Sequence, residues 1–254
     1  MAKAQGRRGV DGGNRYKGEA TRMGFIYAKV ERARVSLTKK GGQGVLVNGH
    51  LVLTAAHCID FTCTGGMVLG DYCIETINAG GRELKAAVVA VEPVSDIAVL
   101  GTLDNQVFYK EAEDFESFCA ETKPVPLCKR SFVRFREFGI HVYTHKGTWI
   151  RGIAVQYSGN GQQIAITTCE QIEGGTSGSP VINDRGELVG IVSTGGSKTN
   201  LMPRPHLALP VWVRRRIYGY RPRPLRRLVR QALDIGAKTV SPCGSAPTGP
   251  GSKK

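Results

Sequence analysis

The apolar residues of this 254-residue chain come in short bursts, each closed by a turn-former. Runs such as MVL at 67–69 and IAVL at 97–100 are bounded by Gly, Asn, Asp or Pro. A run of that length fills one strand and is too short for most helices. The 33 glycines supply many tight turns, and no strand–helix–strand rhythm of a parallel sheet appears. With 41% hydrophobic residues the chain can bury a core, so an all-β globular fold is expected.

Read along its length, the sequence predicts two strand-rich halves. From Gly24, GFIYAKVERARVSLT alternates apolar and polar positions, and the first core strands are expected there. Strands are expected at 44–47 and 51–54, joined by the Asn48-Gly49 dipeptide that favours a tight type I′ hairpin. Others are expected at 67–69, 83–91 and 97–100. The charged stretch NQVFYKEAEDFESFCAETK lacks alternation and reads as a connection, with room for a helical turn. A second set of strands is expected at 131–136, 139–143, 152–157, 163–168, 180–182 and 188–193. Beyond Pro210, Leu225, Leu228, Val229, Ala232, Leu233 and Ile235 recur at helical spacing between Pro224 and Gly236. Their helix would pack on the body, with a membrane-surface helix as the alternative, and SPCGSAPTGPGSKK reads as a disordered tail. The expected division is a basic flexible segment at 1–23, one domain at 24–220 with halves at about 24–104 and 130–212, and a basic helix and tail at 221–254.

The net charge of +14 is unevenly spread. Lys and Arg predominate in residues 1–40 and 200–254, whereas the body between them carries more acid than base. Such ends could touch a polyanion or an anionic membrane surface, or serve only as solvated termini. The first residues lack the apolar run of an export signal, so a cytoplasmic chain is expected. Seven cysteines without CxxC or Cys/His spacing imply neither a zinc site nor a regular disulfide framework. Reduced thiols are expected; in an oxidising setting Cys58 could pair with Cys63 or Cys73. No cofactor or metal is expected.

Three residues carry reactive chemistry in suggestive settings. Ser177 lies in EGGTSGSPV, where flanking glycines allow a sharp turn and bring backbone N–H groups, those of Gly175 and Ser177, toward a substrate carbonyl. His57 ends the apolar run LVLTAAHC, and Asp96 directly precedes the apolar strand of SDIAVL. Taken singly, the serine reads as a turn, the histidine as structural and the aspartate as a strand-start turn former. Together they supply a nucleophile, a base and an orienting acid. The other histidines, His50, His141, His145 and His206, show no partner at telling spacing and receive no role.

Here the sequence resembles a known family. TAAHC, DIAVL and GTSGSPV are similar to the three signature segments of trypsin-like (chymotrypsin-fold) serine peptidases, and GELVGIVSTGG to the strand lining their substrate cleft. The resemblance implies two antiparallel six-stranded β-barrels with the active site between them, here followed by a C-terminal helix. It implies His57, Asp96 and Ser177 as catalytic triad, Gly175 and Ser177 as oxyanion donors, and hydrolysis of proteins or peptides through an acyl-enzyme. Thr176 stands where secreted relatives carry an aspartate for zymogen activation, so the GTSGSP form resembles HtrA-like bacterial enzymes and viral polyprotein proteases more closely. Six residues before Ser177 stands Gln171, near the expected pocket floor, and Val192, Ser193, Thr194 and Gly195 would form an uncharged wall. A small or medium uncharged P1 side chain is expected. The alternatives are a catalytically silent binding protein of the same fold and a polyanion-binding protein using the basic ends. The acidic body and the lack of aromatics among the Arg runs speak against the latter.

Overall fold

A computed structural model describes residues 12–59, 73–129, 136–156, 162–193 and 199–219, with residues 12–20 described as backbone only. All belong to one compact unit that ends at Gly219. The expected helix at 225–235, the tail after it, the expected strand at 67–69 and all but the last residue of the one expected at 131–136 lie outside the described residues.

The first half is a closed barrel of six antiparallel strands: β1 (Arg34–Leu37), β2 (Gln43–Val47), β3 (Leu51–Thr54), β4 (Ile74–Ala79), β5 (Arg82–Glu92) and β6 (Ile97–Gly101). Their order β1-β2-β3-β6-β5-β4 closes where Ser36 pairs with Asn78. Every residue of β2, β3 and β6 is buried, on both faces, which is why their sequences are nearly continuous apolar runs, with Gln43 and Thr54 at strand ends. One face fills the barrel. The other is covered by helices, with Val30, Phe115, Phe118, Val213 and Ile217 in the same core. At the β2–β3 turn Val47 pairs with Leu51, leaving a loop of Asn48, Gly49 and His50. The positive φ values fall on Gly49 and His50, so the two-residue type I′ hairpin expected from Asn48-Gly49 gives way to a loop one residue longer.

The chain enters this barrel through a helix, α1 (Gly12–Arg32), where strand alternation from Gly24 was expected. Ile26, Val30 and Ala33 recur at i, i+4 and i+7, a spacing that the alternating reading could not separate from period two in so short a window. Tertiary contacts decide it. Tyr27 stacks on Trp149 with ring centroids 4.5 Å apart. Its hydroxyl meets His141 Nδ1 at 2.8 Å, and Glu31 Oε1 accepts from Trp149 Nε1 at 2.8 Å. The helix thereby straps the two halves together.

The second half is a curled sheet of β7 (Glu137–Tyr143), β8 (Trp149–Val155), β9 (Gln163–Thr168), β10 (Pro180–Asn183), β11 (Leu188–Ile191) and β12 (Thr199–Pro203), in the order β11-β10-β7-β8-β9-β12. Among the described residues β11 and β12 approach each other without pairing, so the second of the two expected six-stranded halves is a curled sheet. Its last strand is Thr199–Pro203, whose buried Asn200 and Met202 alternate with exposed Thr199 and Leu201. A terminal proline and a polar start hid that pattern in the sequence. Between the halves the charged stretch forms α2 (Tyr109–Glu121), burying Ala112, Phe115, Phe118 and Cys119 on one face. The segment after it bridges in parallel to both sheets, Val125 to Val47 and Leu127 to Leu188. Two short helices, α3 (Pro205–Ala208) and α4 (Val211–Ile217), close the described chain, and α4 plants Val213 and Ile217 in the first core.

Candidate active site

His57 sits in a single helical turn, Ala56–Cys58, at the end of β3. Ala55, Ala56 and Cys58 are buried, so the chain has no freedom to move the imidazole off a fixed platform, while the ring itself is about half exposed. Asp96 ends the turn before β6 with φ at 55°, the left-handed region that aspartate tolerates better than most residues. That conformation turns its carboxylate back onto His57. Oδ1 accepts the His57 backbone N–H at 3.0 Å, and Oδ2 meets His57 Nδ1 at 2.8 Å. A carboxylate only accepts, so the contact assigns the imidazole proton to Nδ1 and leaves Nε2 with a free lone pair.

A third donor completes the Asp96 environment. The Ser193 hydroxyl reaches Oδ2 at 2.6 Å from the second half. Next to it, the Ser95 hydroxyl donates to Gln162 Oε1 at 2.5 Å, so the turn holding Asp96 is anchored to the second half twice. Ser193, expected in a pocket wall, therefore directs its side chain to the acid. Val192 is fully buried in the second core, and its carbonyl accepts from Gly178 N–H at 2.6 Å. Gln171 is exposed, beside the fully buried Ile172. Thr194 and Gly195 lie outside the described residues.

Ser177 is held mainly by backbone. Its carbonyl accepts the Gln43 N–H at 2.7 Å, so the serine-bearing loop docks on the start of β2 in the other half. Thr54 Oγ1, three residues before His57, donates to the Gln43 carbonyl at 2.6 Å. Gly178, with φ at 80°, packs against both: a Cβ there would overlap the Gln43 carbonyl and lie 2.6 Å from Thr54 Oγ1. No side chain fits. Gly42 is confined likewise, since a Cβ on it would meet Cys58 Sγ at 2.5 Å and the Ser177 carbonyl at 3.2 Å. The residue after His57 and the backbone of Ser177 thus flank one glycine. Among the described residues, the N–H groups of Gly175 and Ser177 donate to no protein acceptor.

Several residues without an expected role help to build this region. Thr176 is fully buried, and its Oγ1 accepts the His145 N–H at 3.3 Å and lies 3.3 Å from His145 Nδ1. His145 Nε2 is 3.8 Å from Glu173, whose carboxyl is held below its usual range by the Lys146 ammonium that hydrogen-bonds it at 2.7 Å. The other histidines are also engaged: His50 with Glu116, His141 with Tyr27 and Asp184, and His206 with Tyr218. Spacing in sequence carried no sign of these pairings, because each joins residues of different elements. The Cys58 thiol is pushed up to about 12 by burial and by the Asp96 charge, so it stays protonated beside His57 at neutral pH. Among the described residues Cys58, Cys73, Cys119 and Cys169 are free thiols.

A family model described as a trypsin-like peptidase domain matches residues 42–191. No curated protein compared with the chain matches it. Among solved structures, the Rv3671c protease from M. tuberculosis in its active form is 17% identical, with 82% of this chain and 90% of that one covered at a TM-score of 0.50. A serine endoprotease from Yersinia pestis is 19% identical, with 74% of this chain and 64% of that one covered at a TM-score of 0.51. At these identities the likeness bears on the fold.

Proposed function

The chain belongs to the trypsin-like peptidase family and is a serine endopeptidase, and from that premise we propose how it acts. Ser177 Oγ attacks the scissile carbonyl while His57 Nε2 takes its proton. The oxyanion that forms accepts hydrogen bonds from the N–H groups of Gly175 and Ser177. Collapse of the tetrahedral intermediate breaks the C–N bond, and His57 returns its proton to the departing amine. Water then attacks the acyl-Ser177 ester with the same base, releasing the acid and restoring the serine. Asp96 keeps the proton on Nδ1 and stabilises the imidazolium formed in each half-reaction.

The observation that carries this reading is the Asp96 carboxylate, which accepts from the His57 backbone, the His57 ring and the Ser193 hydroxyl at once. Such a carboxylate fixes the ring's tautomer and orientation, which a general base requires. We also assign a small or medium uncharged P1 side chain, because the sequence places no carboxylate at Gln171, Thr194 or Gly195. The test is labelling with a fluorophosphonate, which needs an activated serine and no knowledge of the substrate. The wild-type chain should be labelled at Ser177, and the Ser177→Ala protein should fold and remain unlabelled. Equal labelling of the two proteins would refute the assignment.

A further inference from the structure

Away from the Ser177 loop, a cleft of about 650 Å³ opens between α1, the β4–β5 turn and the end of α2. Its α1 side is the stripe Phe25, Ala28, Lys29 and Arg32, at i, i+3, i+4 and i+7, on the face next to the core-facing Ile26 and Val30. Its floor is apolar, with Phe118 and Ala79 nearly fully buried, while Phe25 stands 75% exposed at the rim. Around this floor stand four cations, Lys29, Arg32, Arg82 and Lys123, and one acid, Glu121. Glu121 is spent on Arg82 at 2.8 Å. Among the described residues Lys29, Arg32 and Lys123 form no ion pair. Burial lowers the pKa of Lys29, and the Lys123 charge facing it lowers it further. Like charges gathered about an apolar floor from three separate elements are unfavourable in the empty cleft, and an anion between them relieves the repulsion.

We propose that this cleft is an exosite that takes an acidic peptide segment bearing an apolar anchor, with carboxylates on Lys29, Arg32 and Lys123 and the anchor on the Phe25–Phe118 floor. Only the idea that a substrate presents this segment rests on the endopeptidase reading; the recognition chemistry does not. The volume is that of a site for a few side chains. The chain's own ends cannot fill it by charge, since residues 1–11 and 220–254 are themselves basic. Single-stranded nucleic acid fits less well, because it asks for successive aromatic faces and Phe25 is the one aromatic exposed at the rim. A membrane presents a broad plane and would not enter a cleft.

The experiment measures fluorescence anisotropy of a labelled decapeptide of Glu and Asp with a central Phe-Leu pair, using the full-length Ser177→Ala protein so that nothing is cleaved. A second protein adds Lys29→Gln, Arg32→Gln and Lys123→Gln, which keep the alkyl stems and remove the charges. Affinity should fall on the order of tenfold in that protein, as expected for three partly exposed charge contacts, and should weaken with added salt. Phe25→Ser should weaken binding without changing the salt dependence. The three Gln substitutions placed in the active enzyme should leave hydrolysis of a short uncharged peptide unchanged. Equal binding by the three-Gln protein, or equal binding of a Gln/Asn version of the peptide, would overturn the proposal. So would an oligo-uridine or anionic vesicles that lose more affinity than the peptide through the same substitutions. Because the readout is binding, its failure leaves the serine labelling result standing, and loss of labelling leaves the binding result standing.

Discussion

The two halves hold their parts of the site by different means. In the first barrel, His57 and Asp96 are fixed through hydrogen bonds of the Asp96 carboxylate to the His57 ring and N–H, beside the ends of strands buried on both faces. In the second half, Ser177 is fixed by main-chain bonds and by glycines that leave no room for a Cβ. On the proposed mechanism, the base and acid therefore depend on chemical identity, whereas the nucleophile depends on chain geometry. Substitutions should separate the two dependences, the first changing proton chemistry in a stable protein and the second changing stability and activity together.

The largest effect is expected on the first side of that comparison. Asp96→Asn keeps the shape and lets the imidazole take the wrong tautomer, and turnover should fall about 10⁴-fold. Its melting temperature should stay close to wild type. A loss under tenfold in a peptide-hydrolysis assay would mean that Asp96 does not orient the base.

Gly178→Ala tests the other side. The methyl group would overlap the Gln43 carbonyl in a backbone conformation that alanine disfavours, so the serine loop must lift from β2. A displacement on the order of 1 Å costs about 10²-fold in rate, and here it should come with a lower melting temperature. Wild-type activity in Gly178→Ala would show that docking on Gln43 is irrelevant to the nucleophile.

Ser193→Ala removes one of the two hydrogen bonds that anchor the Asp96 turn to the second half. The acid keeps two of its three hydrogen bonds, and activity should fall about tenfold, the worth of one bond to a charged group. Thr176→Val is smaller still. It preserves shape and strips the acceptor from the His145 N–H behind the oxyanion loop, for a loss of roughly fivefold in kcat. An effect of Thr176→Val larger than that of Ser193→Ala would reverse the ranking and make the His145 contact the main support of the loop. The smallest effect belongs to the basic end: Arg226, Arg227 and Arg230 changed together to Gln should leave hydrolysis of a short uncharged peptide within about twofold of wild type.

How much of this was legible depends on whether a feature is local. The strands 44–47, 51–54, 97–100 and 163–168 could be read because their apolar runs and flanking turn residues are contiguous in sequence. β4 and β12 could not, since Glu75 and Asn200 are buried polar residues within them and break the pattern. Helix α1 was not legible, because four apolar residues within the short window 25–30 do not separate period two from period 3.6, and the deciding contacts with His141 and Trp149 lie more than a hundred residues away. The region of the candidate site could be read from His57, Asp96 and Ser177 because reactive residue types in glycine-rich or strand-end settings are a local signal.

By itself, the sequence determined the all-β class, the chemistry available at three positions and the glycines on which the serine loop depends, since each follows from residue type and near neighbours. Tertiary structure decided which partners complete them. Ser193 on Asp96, Thr176 on His145, the open curl of the second sheet and the gathering of Lys29, Arg32, Arg82 and Lys123 around one apolar floor all join residues far apart in the chain. Such contacts arise when packing brings separate elements together, and no local period or spacing encodes the position of a residue on one element relative to another.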